Sequence, residues 1–321
     1  MTQLAPFDPA IEITVCIVNW NGSRWIRDCL RSLHEPGTPS LEIIFVDNAS
    51  TDNSVEMVRA EFPQTRVIVN SSNVGFAQAN NQAILCGRGV YFFILNNDTI
   101  VHNHTIARLV RFLNQHLKAG MVAGHLVNPD GSTQFGYYPV ALPTLGSLAA
   151  DLLWLNRFWP RNRLGRGALA RNWDPDKPSR MEQIPGACIM ARREFFEQVG
   201  LFDETYGFWY EDVDLCARSL RAGWEMWYLP EARITHYGAA STKLMDVSSR
   251  SLLRFRNMMR YSRKYFRPSH SFLLKITVGL VLVARLPIVL AASLWPKAQV
   301  RRIWKGTWRA YVQLLGEIVH G

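Results

Sequence analysis

Tyr91-Phe92-Phe93-Ile94-Leu95 runs without a break into Asn96-Asn97-Asp98-Thr99. An aromatic and aliphatic run of this kind suits a strand buried on both faces, and the polar quartet puts one carboxylate and two amides at its C-terminal end. Open α/β sheets bind ligands at such ends. Oxygen donors placed there suit a hard divalent cation and the phosphate charge that accompanies one. The same four residues also make a good turn and helix start, so neighbouring segments have to decide.

Outward from this run, strand-like and helix-like segments alternate. Ile13 to Trp20 reads as a strand and Trp25 to Leu33 as a helix; Leu41 to Val46 is a strand ending at Asp47, followed by cap residues and a helix through Phe62. Val67 to Val69, Phe76 to Leu85, Tyr91 to Leu95 and Thr105 to Leu117 continue the pattern as strand, helix, strand and helix. Such alternation predicts a mostly parallel sheet with helices on both faces. A strand is expected over Met121 to Val127. Regularity is then lost between Gly136 and Arg180, a stretch long enough to be a binding loop or lid. It returns with Ala187 to Ala191 and with helices at Arg192 to Val199 and Glu211 to Arg221.

The 321 residues are 48% hydrophobic and 19% charged, which excludes a disordered chain. Five cysteines stand singly with no C-x-x-C pair, against a disulfide framework or zinc site and in favour of a reducing cytoplasm. The N-terminus shows no basic segment leading into a long apolar one, so no secretory signal is expected.

Polar residues gather at the ends of the expected strands: Asn19 and Asn21, Asp47, Asn73 with Gly75, and Asn96 with Asp98. A carboxylate at Asp47 suits a base N–H or a ribose hydroxyl, and Gly75 permits close backbone approach to a ligand; Asp47 reads equally well as a turn initiator. Glu211-Asp212-Val213-Asp214 opens a helix. Its dipole lowers carboxylate pKa values and neighbouring like charges raise them, so one of the three could be tuned as a proton acceptor. Helix-start preference explains Glu211 and Asp212 as readily, and Asp214 is spaced for an ion pair with Arg218. His236 ends another strand, where it serves as a metal ligand or as an ordinary structural histidine.

Taken in order, Val15-Cys16-Ile17-Val18-Asn19-Trp20-Asn21-Gly22, Val46-Asp47-Asn48-Ala49-Ser50-Thr51-Asp52, Asn73-Val74-Gly75-Phe76-Ala77-Gln78-Ala79-Asn80-Asn81, Leu95-Asn96-Asn97-Asp98-Thr99, Gly200-Leu201-Phe202-Asp203-Glu204, Glu211-Asp212-Val213-Asp214-Leu215 and His236 resemble inverting family-2 glycosyltransferases of the GT-A fold. The nearest subgroup is that of bacterial rhamnosyltransferases. The resemblance implies a Rossmann-like GT-A catalytic domain over 1–245, with 136–180 as an acceptor-side insert. It implies that Asp47 holds the nucleobase, that Asn19, Asn21, Asn73, Gly75, Asn80 and Asn96 line the donor, and that Asp98 and His236 bind Mg²⁺ or Mn²⁺. Asp212 would be the catalytic base with Glu211 beside it, and Trp209 and Gly186 would face the acceptor. Trp209 is equally well placed as core.

One departure concerns the D-x-D metal motif: Asn96 replaces its first aspartate. The implied donor is a nucleoside-diphosphate sugar, dTDP-rhamnose or a UDP-sugar. The implied acceptor is a glycan or a polyprenyl-diphosphate-linked saccharide of a cell-surface polysaccharide. Two other readings are a nucleotidyltransferase making sugar nucleotides and an inactive carbohydrate-binding scaffold. The first usually carries an early Gly-rich basic loop, which Asn19-Trp20-Asn21-Gly22 is not, and the second is supported by Asn96 alone.

Charge is concentrated at the C-terminus. Residues 246–321 hold 14 Lys and Arg against Asp246 and Glu317, a net +12 that exceeds the whole chain's +10. Basic residues interleave with apolar ones from Arg250 to Arg267, and Phe272 to Trp295 is apolar apart from Lys275 and Arg285. A basic helix beside an apolar one favours an anionic membrane surface over nucleic acid. Arg285 and Pro287 fall mid-run, so the expectation is two pieces breaking near Pro287 and lying on the cytoplasmic face of a bacterial inner membrane, with Trp295, Trp304 and Trp308 at the interface. The alternative is a helical pair packed on the core or against a second copy as a homodimer.

Overall fold

The computed structural model describes residues 3–34, 38–135, 141–158, 173–238, 247–294 and 298–320. Trp295, the boundary expected at 245/246 and much of the expected insert lie outside these residues. The chain divides into two compact units, Met1–Leu142 with Asn172–Ser241 and Pro143–Arg171 with Thr242–Gly321.

The first unit follows the expected alternation: β1 (Ile13–Asn19), α1 (Ser23–Arg31), β2 (Leu41–Asp47), α2 (Ser54–Glu61), β3 (Arg66–Val69), α3 (Phe76–Cys86), β4 (Tyr91–Asn96), β5 (Thr99–Val101), α4 (Thr105–Gln115) and β6 (Ala119–Val127). After the helices of the second unit, α5 (Leu145–Leu152) and α6 (Leu155–Phe158), come β7 (Ser179–Met181), β8 (Cys188–Arg192), α7 (Arg193–Val199), α8 (Glu211–Arg221) and β9 (Glu225–His236). The strand order is β3-β2-β1-β4-β8-β6-β9-β5, with β7 on β9.

The sheet is mixed rather than mostly parallel. β1 pairs parallel with β2 and β4, and β2 with β3. β8 then enters between β4 and β6 antiparallel to both. Parallel neighbours need a long crossover, which the helices between the first four strands supply. Ile13, Val15, Cys16 and Ile17 of β1 and Phe92, Phe93 and Ile94 of β4 are wholly buried. Covered on both faces, these strands read as continuous apolar runs, and each large side chain contributes about 1.5–3 kcal/mol by leaving water.

Asp52 ties two helix starts together. Its Oδ2 accepts from Ser23 N at the head of α1 (2.9 Å) and its Oδ1 from Ser54 N at the head of α2 (3.1 Å). Burial pushes this carboxyl up, but hydrogen bonds from Ser54 and Ser23 outweigh it and hold the group below its ordinary value.

In the second unit, α5 starts at a Thr144/Ser147 capping box. Part of the stretch expected to be irregular is therefore helical. Three long helices follow: α9 (Val247–Tyr265), α10 (Pro268–Ser293) and α11 (Ala298–His320). α10 continues through Pro287 and does not break there. A proline removes one N–H and bends a helix, and buried Leu282 and Val289 hold both flanks. The charge of Arg285 is also accommodated: its guanidinium donates to Leu152 O at the end of α5 and lies 4.2 Å from the centre of the Trp154 ring.

Candidate active site

The strand order reverses direction at β1, which lies between β2 and β4, and the crevice at the C-terminal ends of these strands is where an α/β sheet binds ligands. A chain of amides closes it. Asp47 Oδ2 accepts from Asn19 Nδ2 (2.9 Å), and Asn19 Oδ1 accepts from Asn97 Nδ2 (2.6 Å). Asp47 also accepts from Ser50 N (2.8 Å) and Ser50 Oγ (2.6 Å) and is 1% exposed, leaving little acceptor capacity for a ligand. Its visible work is to hold the 48–52 loop. A Cβ on Gly22 would fall 2.2 Å from both Asn19 Oδ1 and Asn97 Nδ2, so any side chain there would have to displace this hydrogen bond. Asn21, at φ 52°, accepts from Thr51 N (2.7 Å) and pins the facing loop.

Gly75 has φ 89°, and a Cβ there would meet Gly207 O at 2.8 Å. Phe76 N donates to the same Gly207 O (2.7 Å). The loop before α3 is thus clasped to the loop before α8. Asn73 is exposed and accepts from Gly75 N (3.0 Å). Asn80 is buried in α3 with its Nδ2 on Phe76 O (2.9 Å) and its Oδ1 without a partner, so its hydrogen bonding does not reach the strand-end cluster.

Trp209 and Tyr210 enter α8 with φ of 63° and 73°. Side chains held in the left-handed region cost about 1–3 kcal/mol each and concentrate at functional sites. The bend seats Glu211 and Asp212 on the first turn of α8. Asp212 Oδ1 accepts from Val213 N (2.8 Å) and Oδ2 from Gly186 N (3.2 Å), which brings the expected acceptor-side Gly186 against the expected base. Glu211 is 5% exposed and its Oε2 has no partner. Burial, then the neighbouring Asp212 charge, pushes the Glu211 carboxyl well above its usual range; burial also raises Asp212. Two backbone N–H groups favour the charged form of Asp212, so of the two carboxyls Glu211 is the one favoured to hold a shared proton. Asp214 is spent on structure: its carboxylate takes Arg218 Nε at 2.8 Å, and Arg218 also caps Val199 O and Leu201 O.

On the far side, β5 pairs antiparallel with the end of β9, Thr99 opposite His236. This brings Asp98 Oδ1 to 3.3 Å from His236 Nε2, with Asn96 Nδ2 also 3.3 Å from that nitrogen. Adjacent ligands on an octahedral ion with bonds of about 2.1 Å stand about 3 Å apart, so the pair fits one divalent cation. Asn96 puts a neutral amide where a second carboxylate would add charge. Among the described residues no three His, Cys, Asp or Glu side chains gather as a metal cluster, so a cation here would find two strong protein ligands. Sequence reasoning named Asp98 and His236 as candidate ligands and quoted Asn97 and Ser50 within motifs without giving them these roles; it missed Gln134.

In overall structure the chain is similar to a mannosyltransferase from Pyrobaculum calidifontis in complex with GDP-Man and Mn²⁺, with a TM-score of 0.54 and 18% identity over 98% of this chain and 88% of that one. It is similar also to GalNAc-T7 with UDP, GalNAc and Mn²⁺, with a TM-score of 0.50 and 18% identity over 71% of this chain and 44% of that one. At these identities the likeness concerns the fold. In sequence, it is 29% identical over 245 residues, 72% of this chain and 77% of the relative, to N-acetylglucosaminyl-diphospho-decaprenol L-rhamnosyltransferase of Mycobacterium tuberculosis. It is 32% identical over 131 residues, 40% of this chain and 43% of the relative, to glycosyltransferase GlyG of Streptococcus pneumoniae. Residues 14–200 match the family model described as glycosyl transferase family 2, and with more than half of its length inside that match the chain belongs to this family.

Proposed function

We propose that this chain transfers a rhamnosyl group, with inversion, from a nucleoside-diphosphate donor such as dTDP-rhamnose to a polyprenyl-diphosphate-linked saccharide in cell-surface polysaccharide synthesis. The observation that carries the choice of sugar and acceptor is the likeness, over 72% of the chain, to the mycobacterial L-rhamnosyltransferase whose name specifies an N-acetylglucosaminyl-diphospho-decaprenol. Asp212 takes the proton of an acceptor hydroxyl as that oxygen attacks the anomeric carbon. The bond to the diphosphate breaks on the opposite face, and its electron pair leaves with the diphosphate; one displacement inverts the centre. Asp98 and His236 would hold a divalent cation, Mg²⁺ or Mn²⁺, which when bound neutralises charge on the leaving diphosphate.

Full-length protein offered dTDP-rhamnose, UDP-sugars and GDP-sugars with a polyprenyl-diphosphate N-acetylglucosamine acceptor is expected to yield product from dTDP-rhamnose, read by mass. Transfer from another donor alone would remove rhamnose from the reading and leave a glycosyltransferase.

The proposal includes attachment to an anionic membrane surface through the second unit. Leu273, Ile276, Leu280, Val283 and Leu290 of α10 and its C-terminal cap residue Leu294 recur three, four and seven residues apart and are all exposed, which supports this reading. By length and composition, Pro268–Ala292 also suffices to cross a membrane. Residues 246–321 carry a net +12, and Glu317 is engaged bidentately by Arg256. Each basic residue near an anionic surface contributes about 1 kcal/mol, and apolar insertion adds to it. Full-length protein is expected to sediment with anionic phospholipid vesicles and to resist release by salt alone. If it stays in the supernatant at low salt, the membrane is the wrong partner and a second copy of the chain becomes the better one.

A further inference from the structure

We propose that Gln134 is a positioning residue for the Asp98–His236 pair, fixing the neutral imidazole with its hydrogen on Nδ1 and the unprotonated Nε2 toward Asp98. The inference rests on the metal reading above and deepens it. Gln134 is 7% exposed and follows β6 across a tight turn, closed by Asn128 N on Ser132 O (2.8 Å) and Gly131 N on Asn128 O (2.8 Å). Its own N–H returns to Leu126 O (3.1 Å), so the backbone holds the side chain in place.

The orientation of the amide follows from its partners. Gln134 Nε2 donates to His236 O and to Asn128 Oδ1 (2.8 Å). A backbone carbonyl only accepts, so the nitrogen belongs on that side and Oε1 faces His236 Nδ1, 2.9 Å away. An amide oxygen cannot donate. Nδ1 therefore carries the hydrogen, and in the neutral ring Nε2 carries none. That nitrogen, able to accept a donor or bind a cation, stands 3.3 Å from Asn96 Nδ2 and 3.3 Å from Asp98 Oδ1. A divalent ion held between Nε2 and Asp98 Oδ1 would take both atoms as ligands. Partners of this kind, which orient a metal-binding histidine through its other nitrogen, change metal affinity about 10–100-fold when removed.

Gln134 also ties the 128–134 turn to the end of β9 through Nε2, and the test has to separate that bracing from the effect on the ring. Gln134→Glu keeps an acceptor opposite Nδ1 and loses the donor; Gln134→Met loses both. Binding of Mn²⁺ in the presence of a nucleoside diphosphate, read by electron paramagnetic resonance, is expected to weaken about 10–100-fold in Gln134→Met and to be kept in Gln134→Glu. Nitrogen-15 NMR of the histidine-labelled, metal-free chain at mildly alkaline pH should show His236 protonated at Nδ1, and Gln134→Met should lose that preference. Equal weakening in both variants would reduce Gln134 to a brace, and a wild-type ring protonated only at Nε2 would overturn the proposal outright. A wild-type chain that binds no Mn²⁺ refutes the metal reading, and the NMR measurement still decides for Gln134.

Discussion

Asp212→Asn is expected to lower turnover by about 10²–10⁴-fold, the range of a lost general base, with donor binding little changed. The variant keeps the shape of the side chain and removes its basicity. In the wild type, both Asp212 oxygens are steadied by backbone N–H groups, from Val213 and Gly186, so the carboxylate is oriented before an acceptor arrives. Burial raises the Asp212 pKa, which makes it a stronger base than an exposed aspartate. The sign for activity follows: below the raised value Asp212 is protonated and cannot take a proton, so turnover climbs with pH through a limb lying above the ordinary aspartate value of about 3.9. Asp212→Asn should lose that limb along with the rate. Glu211→Gln, in which a neutral group replaces one already favoured to hold the shared proton, should cost much less. Near-normal turnover in Asp212→Asn, with the pH limb intact, would move the base to another residue.

Much of the fold was legible because buried strands announce themselves locally. The runs at Ile13, Leu41 and Tyr91 start within one or two residues of where the sequence places them, and each ends in the polar residues that line the crevice. Strand direction was not legible. A buried antiparallel strand such as β8 has the same apolar run as a parallel one, so its entry between β4 and β6 shows only in three dimensions. β5 and β7, three residues each, are too short for any period to register, yet β5 is what carries Asp98 to His236.

The site divides in the same way. Glu211, Asp212, Asp98 and His236 stood out as candidates because each lies at or beside the end of an element and carries a group suited to chemistry. Gln134 meets His236 across 102 residues of chain and sits beyond a turn, where no pattern marks it. Asp47 was legible as a strand-end carboxylate, but its engagement by Ser50 and Asn19 was not, since polar networks leave no periodicity. In the tail, Arg285 and Pro287 suggested a break from their ordinary costs. Packing overrode both, through Leu152, Trp154 and the buried flanks of α10.

Chelation is expected to abolish transfer, and Mn²⁺ or Mg²⁺ to restore it. The site predicts both the dependence and its softness. With Asp98 and His236 as its two strong protein ligands, a cation would take most of its shell from other donors, so it should exchange readily and EDTA should reach it. Asn96 sharpens this, because a neutral amide beside Asp98 contributes no charge to hold a divalent ion. Asp98→Ala should therefore raise the metal concentration needed for half-maximal activity more than His236→Ala does. Removing Asp98 takes away a ligand and the only carboxylate of the pair; removing His236 takes away a neutral ligand and leaves the charge in place. Titration of activity with Mn²⁺ in the wild type and both variants measures the ordering. Undiminished transfer in excess chelator would sink the metal assignment, and Asn96 would then mark a site whose own residues and neighbouring backbone amides neutralise the departing diphosphate.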